Sequence, residues 1–115
     1  MGKAMESCIF CKIIDKKLDT NLLYEDEDIV AFEDIAPRAP VHLLIIPRQH
    51  IATLNEVTDF SILAKMNAVA VNLARQQAVA ASGYRLLLNC NSQGGQEVFH
   101  LHMHLLGGKQ LGSIG

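Results

Sequence analysis

Apolar residues recur along the chain in two spacings, one typical of strands and one typical of helices. Short apolar runs, each bounded by turn or charged residues, predict β-strands. Pro47 closes one of these runs, and the two prolines of the 36–40 segment interrupt the chain before it. Five strands are predicted, over residues 22–25, 29–34, 41–46, 84–90 and 98–106.

A helical spacing occurs in the middle of the chain. Apolar residues recur three and four apart between Ile62 and Leu73, which predicts a long helix. Thr58 or Asp59 would cap its start, and Gly83 would end it just after residue 81. A short helix over residues 9–17, capped by Ser7, is predicted before the first strand. One antiparallel sheet and one main helix make an α+β domain.

The composition limits the classes of protein that this chain can represent. It has 115 residues, half of them hydrophobic and 19% charged, which suits one packed domain over 8–115 with a loose tail over 1–7. No apolar run is long enough for a membrane span, and no signal-peptide pattern opens the chain. The net charge of −2 excludes a generally basic nucleic-acid binder. Three cysteines, an odd number, favour a reducing compartment, and we expect a cytoplasmic protein without a membrane partner.

The net charge hides an asymmetry between two parts of the chain. Residues 1–34 carry four lysines and nine acidic residues, whereas residues 35–115 carry six basic and three acidic residues. All five histidines also lie in the second part, which is therefore the better place for an anion site. Two solvated faces of opposite sign would explain the charge alone equally well.

Three histidines alternate with apolar residues in the last predicted strand. Successive side chains of a strand point to opposite faces, so His100, His102 and His104 would share one face. The apolar residues of the other face would pack under the long helix, and they are Phe99, Leu101, Met103 and Leu105. An exposed strand that happens to hold three histidines is the plain alternative, but no rule of stability asks for such a row.

The spacing also limits what the three imidazoles can do together. The outer two lie about 13 Å apart on a regular strand, whereas a Zn–N bond is only about 2.0–2.1 Å long. They cannot all bind one ion without a distortion, so at least one is available for other chemistry. The middle one, His102, is the best placed nucleophile, because a neutral imidazole is competent and its pKa lies near neutrality.

A glycine-containing loop precedes this strand. Gly94 and Gly95 in the 91–97 loop allow close approach of the backbone, and such a turn can direct successive N–H groups at an anion. Asn89, just before the loop, offers a side-chain amide. A plain hairpin turn is the alternative, but next to three histidines a phosphate or oxyanion cradle is the better interpretation.

The chain resembles the histidine triad (HIT) superfamily, in particular its HINT-like branch of purine nucleoside phosphoramidase type. The resemblance is carried by the run His100-Leu101-His102-Met103-His104-Leu105-Leu106, the preceding Gly94-Gly95-Gln96, the following Gly107-Gly108 and the upstream segment 34–42. The resemblance covers about residues 8–110. It implies a HIT-like fold whose sheet continues across a homodimer. It also implies hydrolysis of purine nucleoside phosphoramidates and aminoacyl-adenylates, conjugates of nucleotides such as AMP or GMP, to the nucleoside monophosphate through a covalent nucleotidyl-histidine, with no cofactor required for catalysis.

The resemblance also implies roles for individual residues. His102 would attack the α-phosphate, His100 would lie beside the leaving group, and His104 and His42 would line the site. The phosphate would be held by Asn89, Gly95, Gln96 and Glu97. Asp34 would bind the ribose, and the base pocket would comprise Ile9, Phe10, Ile13, Phe32 and Ile35.

Two of these residues have plainer interpretations, and a third departs from the pattern of the family. His42 is otherwise a buried, hydrogen-bonded histidine, unless its strand adjoins the triad strand. Asp34 is otherwise a turn acid. Many family members have Ser or Thr at the position of Glu97, whose carboxylate would repel phosphate, so that only its backbone N–H is a plausible ligand.

The pair Cys8-x-x-Cys11 indicates metal or redox chemistry in a reducing compartment. No βαβ pattern surrounds it, which disfavours thioredoxin-like use. By resemblance to some HIT relatives, a structural zinc ion would be bound by Cys8, Cys11, His50 and His100. A zinc-bound His100 could not also give a proton to the leaving group. The alternative is two buried thiols and a surface histidine.

Two other classes of function compete with the hydrolase. A nucleotide-binding regulatory scaffold with little turnover would use the same site, although binding alone requires no nucleophile. A metalloenzyme with catalytic zinc on the triad is disfavoured by the strand spacing and by the separate cysteine pair.

Overall fold

The computed structural model describes residues 7–114, so residues 1–6 of the expected tail and residue 115 lie outside the described part. The helices are α1 (Ile9–Ile14) and α2 (Ser61–Gln76). The strands are β1 (Leu22–Glu25), β2 (Ile29–Glu33), β3 (Val41–Pro47), β4 (Tyr84–Leu88) and β5 (Met103–Gly107). None of the helices in this range is long and apolar enough to cross a bilayer.

The five strands form one sheet in the order β1-β2-β3-β5-β4, with antiparallel pairing throughout. The predicted α+β class, with five strands, one long helix and a short N-terminal helix, is confirmed. The last strand of the chain inserts between β3 and β4, so that β5 adjoins β3, and β4 becomes an edge strand. This order decides which histidines meet.

The central strands are buried on both faces. Leu43 and Ile45 of β3 join the larger apolar core beneath α2. Leu44 and Ile46 point to the opposite face, where they pack with Phe10 of α1. The uninterrupted aliphatic run of β3 therefore reflects a strand between two layers, since both sets of alternating side chains are excluded from water.

Helix α2 is shorter than the sequence pattern predicts. It ends at Gln76 instead of about residue 81, because Ala78 adopts a left-handed conformation with φ 60°. The reversal brings Val79 into the core, where it is almost completely buried. Gly83 lies in the later turn before β4 and does not cap the helix. At the start, the N-cap is Phe60 and not Thr58 or Asp59, although the Asp59 carboxylate accepts a hydrogen bond from the Ser61 N–H at 3.0 Å.

The first helix and the last two strands also differ from their predicted bounds. Helix α1 ends at Ile14, and its N-cap is Cys8, not Ser7; the Cys8 Sγ accepts a hydrogen bond from the Cys11 N–H. Strand β4 ends two residues early, at Leu88.

The last strand begins later than predicted: β5 begins at Met103, whereas the predicted strand begins at residue 98. The Leu101 N–H donates to the Ile51 carbonyl at 2.6 Å and not to a neighbouring strand. Leu101, Met103 and Leu105 pack in the core beneath α2, as expected. Phe99, which was expected to join them, is 46% exposed.

Candidate active site

The middle histidine of the triad lies in the irregular segment just before β5. Its Nδ1 is 2.7 Å from the His100 carbonyl oxygen. A carbonyl only accepts, so the proton lies on Nδ1, and Nε2 of the neutral ring has a lone pair. Burial lowers the pKa of His102 below the ordinary value, although the hydrogen bond to His100 and the charge of Asp34 oppose this shift. His102 is therefore neutral at pH 7 and held in one tautomer, and the Nε2 lone pair of such a ring is chemically competent for nucleophilic attack.

Two further histidines meet because β3 adjoins β5. His42 Nδ1 accepts a hydrogen bond from the Arg38 backbone N–H at 3.0 Å, which places the His42 proton on Nε2. That Nε2–H donates to His104 Nδ1 at 2.9 Å. The adjacency on which a site role for His42 depended is thus present.

The pair leaves one donor without a partner. Because His104 accepts at Nδ1, its own proton lies on Nε2, and this buried atom has no hydrogen-bond partner within the described residues. Burial, followed by the neighbouring His102 and His42, lowers the pKa of His104 to about 4, so its ring is neutral. Burial likewise lowers the pKa of His42. The rings of His102 and His104 have centroids 5.0 Å apart, so this unpaired N–H belongs to the surroundings of the nucleophile.

The His100 ring, which the resemblance places beside the leaving group, contacts protein atoms at both of its nitrogens. The side chain is completely buried. The Nε2–H donates to the Pro47 carbonyl at 2.8 Å, and the Nδ1 lone pair lies 3.4 Å from Cys8 Sγ and 3.6 Å from Cys11 Sγ. Burial lowers the pKa of His100 to about 4. The group of His100 that contacts the His102 ring through a hydrogen bond is its main-chain carbonyl.

The two cysteines, His50 and His100 form one cluster. Cys11 Sγ is 3.3 Å from His50 Nδ1, and the four donor atoms of Cys8, Cys11, His50 and His100 lie within 4.8 Å of one another. A tetrahedral zinc site with bonds of about 2.3 Å to sulfur and 2.0–2.1 Å to nitrogen requires sulfur–nitrogen distances of about 3.6 Å. The Pro47 carbonyl holds the His100 tautomer that leaves Nδ1 unprotonated, as a zinc ligand requires. The residues fit zinc.

A second group of possible ligands comprises Asp34, His42 and His104, whose donor atoms also lie within 4.8 Å of one another. Here the two imidazoles are hydrogen-bonded directly to each other, and Asp34 Oδ2 lies 3.4 Å from His42 Nε2. Asp34 Oδ1 accepts the Ala36 N–H at 2.8 Å, so Asp34 is also a turn acid. This arrangement suits a hydrogen-bonded relay better than a metal centre.

The loop between β4 and the triad is held by one side chain. Gln96 is buried, its Oε1 accepts the Asn91 N–H at 2.8 Å, and its Nε2 donates to the carbonyls of Ala52 (2.8 Å) and Val98 (3.0 Å). The Gln96 carboxamide is therefore engaged within the protein, and the Gln96 backbone N–H also donates within the loop, to the Asn91 carbonyl at 3.1 Å. Gly95 adopts φ 87°, a conformation that favours glycine.

Asn89 and Glu97 lie on either side of this loop. The Asn89 side-chain amide reaches the Gly95 carbonyl at 3.5 Å. Glu97 is exposed. Both can still contact a ligand from these positions.

The expected base pocket divides into buried and exposed residues. Phe10, Ile13 and Phe32 belong to the smaller core. Ile9 is 46% exposed and Ile35 is 93% exposed. The Phe10 ring lies edge-on to His102 with centroids 5.2 Å apart, so α1 forms a wall beside the nucleophile.

The orienting groups that sequence reasoning missed are backbone atoms. They are the Pro47 and His100 carbonyls, which fix two tautomers, and the Arg38 N–H, which fixes a third. No signal in the sequence identifies them, because every residue has these groups and only the fold selects among them.

Comparison with known proteins agrees with this fold. The model of the HIT domain family matches residues 15–111. The chain therefore belongs to the HIT family. The purine nucleoside phosphoramidase of Escherichia coli strain K12 is 48% identical over 111 residues, covering 95% of this chain and 93% of the relative.

Two solved structures place the similarity in three dimensions. A HIT family hydrolase from Legionella pneumophila is 50% identical, with a TM-score of 0.87 over 90% of this chain and 95% of the other. A histidine triad protein from Clostridium difficile has a TM-score of 0.94 at 36% identity, over 98% of this chain and 100% of the other. The family match begins at residue 15 and thus after the cysteine pair.

Proposed function

We propose that the protein hydrolyses purine nucleoside phosphoramidates, and also aminoacyl-adenylates, to the nucleoside monophosphate through a covalent nucleotidyl-His102. The observation that carries this proposal is the hydrogen bond from His102 Nδ1 to the His100 carbonyl, which leaves the Nε2 lone pair available. The similarity to the Escherichia coli phosphoramidase supports the choice of substrate class.

In the first step, His102 Nε2 attacks the α-phosphorus and forms a P–N bond to the imidazole. In a phosphoramidate, the bond to the leaving amine breaks with its electron pair on the amine nitrogen, which takes a proton from water and leaves hydroxide; in an aminoacyl-adenylate, the electron pair stays on the carboxylate oxygen, and the amino acid leaves as its anion. In the second step, water attacks the same phosphorus and gives up a proton to hydroxide or to solvent, the bond to His102 breaks with its electron pair on Nε2, and the nucleoside monophosphate leaves. The step relies on positioning and on hydrogen-bond donors more than on a strong base.

The surrounding residues supply those donors. The unpaired His104 Nε2–H donates to the phosphoryl group, and His42 keeps His104 in the required tautomer. Asn89 and the backbone N–H of Glu97 bind phosphate oxygens, whereas the N–H groups of Gly95 and Gln96 shape the loop by donating to the Ser92 and Asn91 carbonyls at 3.0 and 3.1 Å.

The remaining groups bind the nucleoside. Asp34 binds the ribose hydroxyls through Oδ2. The exposed Ile9 and Ile35 cover the base, with Phe10, Phe32 and Ile13 packed behind them.

The decisive experiment measures AMP release from an adenosine phosphoramidate. We expect turnover by the native chain and a loss of at least about 10³-fold in kcat for His102→Ala and His102→Gln. His102→Gln keeps most of the side-chain volume, so it separates the lost nucleophile from a packing defect. Binding of AMP without any release would support a regulatory scaffold instead, and undiminished turnover in either variant would contradict the role of His102.

We also propose that Cys8, Cys11, His50 and His100 bind a structural zinc ion, which takes no part in the chemical steps. A cluster with two thiolate ligands requires a reducing compartment, which supports a cytoplasmic location. Elemental analysis of protein purified without chelator should find close to one zinc per chain. Less than about a tenth of an equivalent would contradict a structural site, because such affinity survives purification.

We further propose that two copies pair through β4. This strand lies at the edge of the sheet, so its outer backbone groups have no strand partner within the described chain. Pairing of two β4 strands would continue the sheet and satisfy those groups. Light scattering should give twice the chain mass of 12.6 kDa, and a monomer at micromolar concentration would contradict the dimer.

A further inference from the structure

The cysteine–histidine cluster and the nucleophile share one residue, His100. Its ring belongs to the cluster, with Nδ1 facing the sulfur atoms of Cys8 and Cys11. Its carbonyl oxygen is the acceptor that fixes the tautomer of His102. A displacement of the His100 ring therefore also moves the His100 carbonyl, which orients His102 two residues further along the chain.

The peptide group that follows His100 has few other supports. It precedes β5, so no strand ladder holds it, and its N–H, on Leu101, donates to the Ile51 carbonyl. Ile51 directly follows His50, the fourth member of the cluster. This hydrogen bond connects the segment that contains His50 with the segment that contains His100. The cluster joins the same two segments, because the rings of His50 and His100 have centroids 4.9 Å apart.

The cluster also holds a wall of the site. Phe10 lies between the two cysteines in sequence, and its ring contacts His100 and His102 with centroid distances of 5.9 and 5.2 Å. Helix α1 has only six residues, too few for an isolated helix to be stable. Its position over the nucleophile therefore depends on its buried contacts, to which Cys8 and Cys11 contribute.

We infer that Cys8, Cys11 and His50 are positioning residues for the hydrolytic reaction, which act on His102 through the His100 carbonyl and through Phe10. The inference rests on the proposed hydrolysis through His102. The same positioning effect is expected whether the four side chains contact one another directly or through a zinc ion bound to the same four atoms. It gives the cysteine pair an effect on turnover although neither sulfur contacts the substrate.

The test compares a double variant, Cys8→Ser with Cys11→Ser, with Cys90→Ser as the matched control. Serine keeps a side-chain acceptor for the N-cap, and Cys90 is a half-buried thiol outside the cluster. We expect kcat to fall by about 10- to 100-fold in the double variant, as small misplacements of a reacting group do, with KM within about twofold of the native value. Cys90→Ser should keep both constants.

A second readout does not depend on turnover. In the native chain labelled with ¹⁵N-histidine, His102 should show a single neutral tautomer protonated at Nδ1, and in the double variant the two tautomers should average. An unchanged tautomer together with kcat within about twofold of native would overturn the inference. If the native chain releases no AMP, the proposed function fails, and the tautomer comparison still decides whether the cluster orients His102.

His50→Ala keeps the test decisive if the double variant does not fold. His50 is half-buried and lies outside both helices and all strands, so its removal disturbs the core least. We expect a smaller fall in kcat in the same direction and the same change of the His102 tautomer. Native values of both quantities in a folded His50→Ala would overturn the inference.

Discussion

At the scale of single residues, the chemistry depends on which nitrogen of each imidazole carries the proton. The His100 carbonyl places a proton on His102 Nδ1, and the Arg38 N–H, acting through His42, places one on His104 Nε2. The result is a lone pair and a hydrogen-bond donor on neighbouring rings, both neutral because burial disfavours the charged form. The site thus needs no strong base.

The pH dependence of turnover follows from these neutral rings. In the proposed mechanism only unprotonated His102 attacks, and the pKa of His102 is lowered below 6.5, so kcat should stay constant from about pH 8 to pH 6.5 and decline only at more acidic pH. A pH profile of kcat on the adenosine phosphoramidate measures this. A decline that begins above pH 7 would contradict a buried, neutral nucleophile.

Gln96 is the residue on which the geometry of the phosphate loop depends. Gln96→Met keeps the volume but leaves the Asn91 N–H and the carbonyls of Ala52 and Val98 without this partner. We expect a loss of about 2–3 kcal/mol in the free energy of unfolding and a rise in KM of about tenfold, because buried polar groups lose their bonds and the loop loses its shape. Urea denaturation and steady-state kinetics measure the two effects. Gln93→Met, at an exposed position of the same loop, is the control and should change neither; equal behaviour of the two variants would contradict this role of Gln96.

At the scale of elements, β3 connects the two layers and the site. It pairs with β2 and β5, buries alternate side chains beneath α2 and against α1, and places His42 beside His104. The end of β5 fixes the register of this pairing, since Gly107 lies opposite Val41. The turn that follows brings Gly108 against Pro40, just before β3.

Gly108→Ala tests this close approach. Gly108 has φ 90°, and a Cβ there would lie 2.9 Å from Pro40 Cβ. We expect the free energy of unfolding to fall by about 1–3 kcal/mol, because both the backbone conformation and the contact become strained. Urea denaturation measures the change. Gly112→Ala, where an added Cβ meets nothing within 4 Å, should have native stability, and a Gly108→Ala variant as stable as that control would contradict the strain.

At the scale of the whole molecule, the two faces of the sheet differ: one packs against the long helix, and the other carries the histidines of the candidate active site. The larger core and α2 occupy one side. His42, His102 and His104 lie on the other, with α1 and the smaller core beside them. Burial of several imidazoles on that face links the stability of the fold to pH.

Stability should decrease as the pH falls. The pKa of His104 is about 4 in the folded protein and about 6.5 when unfolded, so between these values the unfolded chain binds more protons. Stability is therefore full above about pH 6.5 and declines down to about pH 4, by at most about 3 kcal/mol from this residue. Thermal melts from pH 7.5 to 4.5 should show a fall in Tm of at least about 5 °C. A smaller pH dependence in His104→Asn would confirm the assignment, whereas an identical one would contradict it.

The parts of the structure that depend on local periodicity could be predicted from the sequence, and the parts that depend on contacts between distant residues could not. The strands over 22–25 and 41–46 and the core of α2 follow from local periodicity, because burial of one face repeats with the period of the element. The predicted end of α2 and the predicted start of β5 were wrong, because Val79 and His100 contact residues that are distant in sequence, and these contacts interrupt the helix and the strand. Similarly, the triad was identified from its spacing, but the Pro47 carbonyl that holds the His100 tautomer was not.

The sequence by itself determined the class of fold and the grouping of His102 with His104, which depend on residue types at fixed spacings, and the family and the four candidate zinc ligands, which depend on the resemblance that its motifs carry. Only the tertiary structure decided which atoms the two nitrogens of His100 contact, that His42 meets His104, and that Gln96 is used within the protein. The reason is that the tautomers and the accessibility of these side chains depend on backbone carbonyls and N–H groups. Every residue carries such groups, and only the folded chain places particular ones beside particular rings.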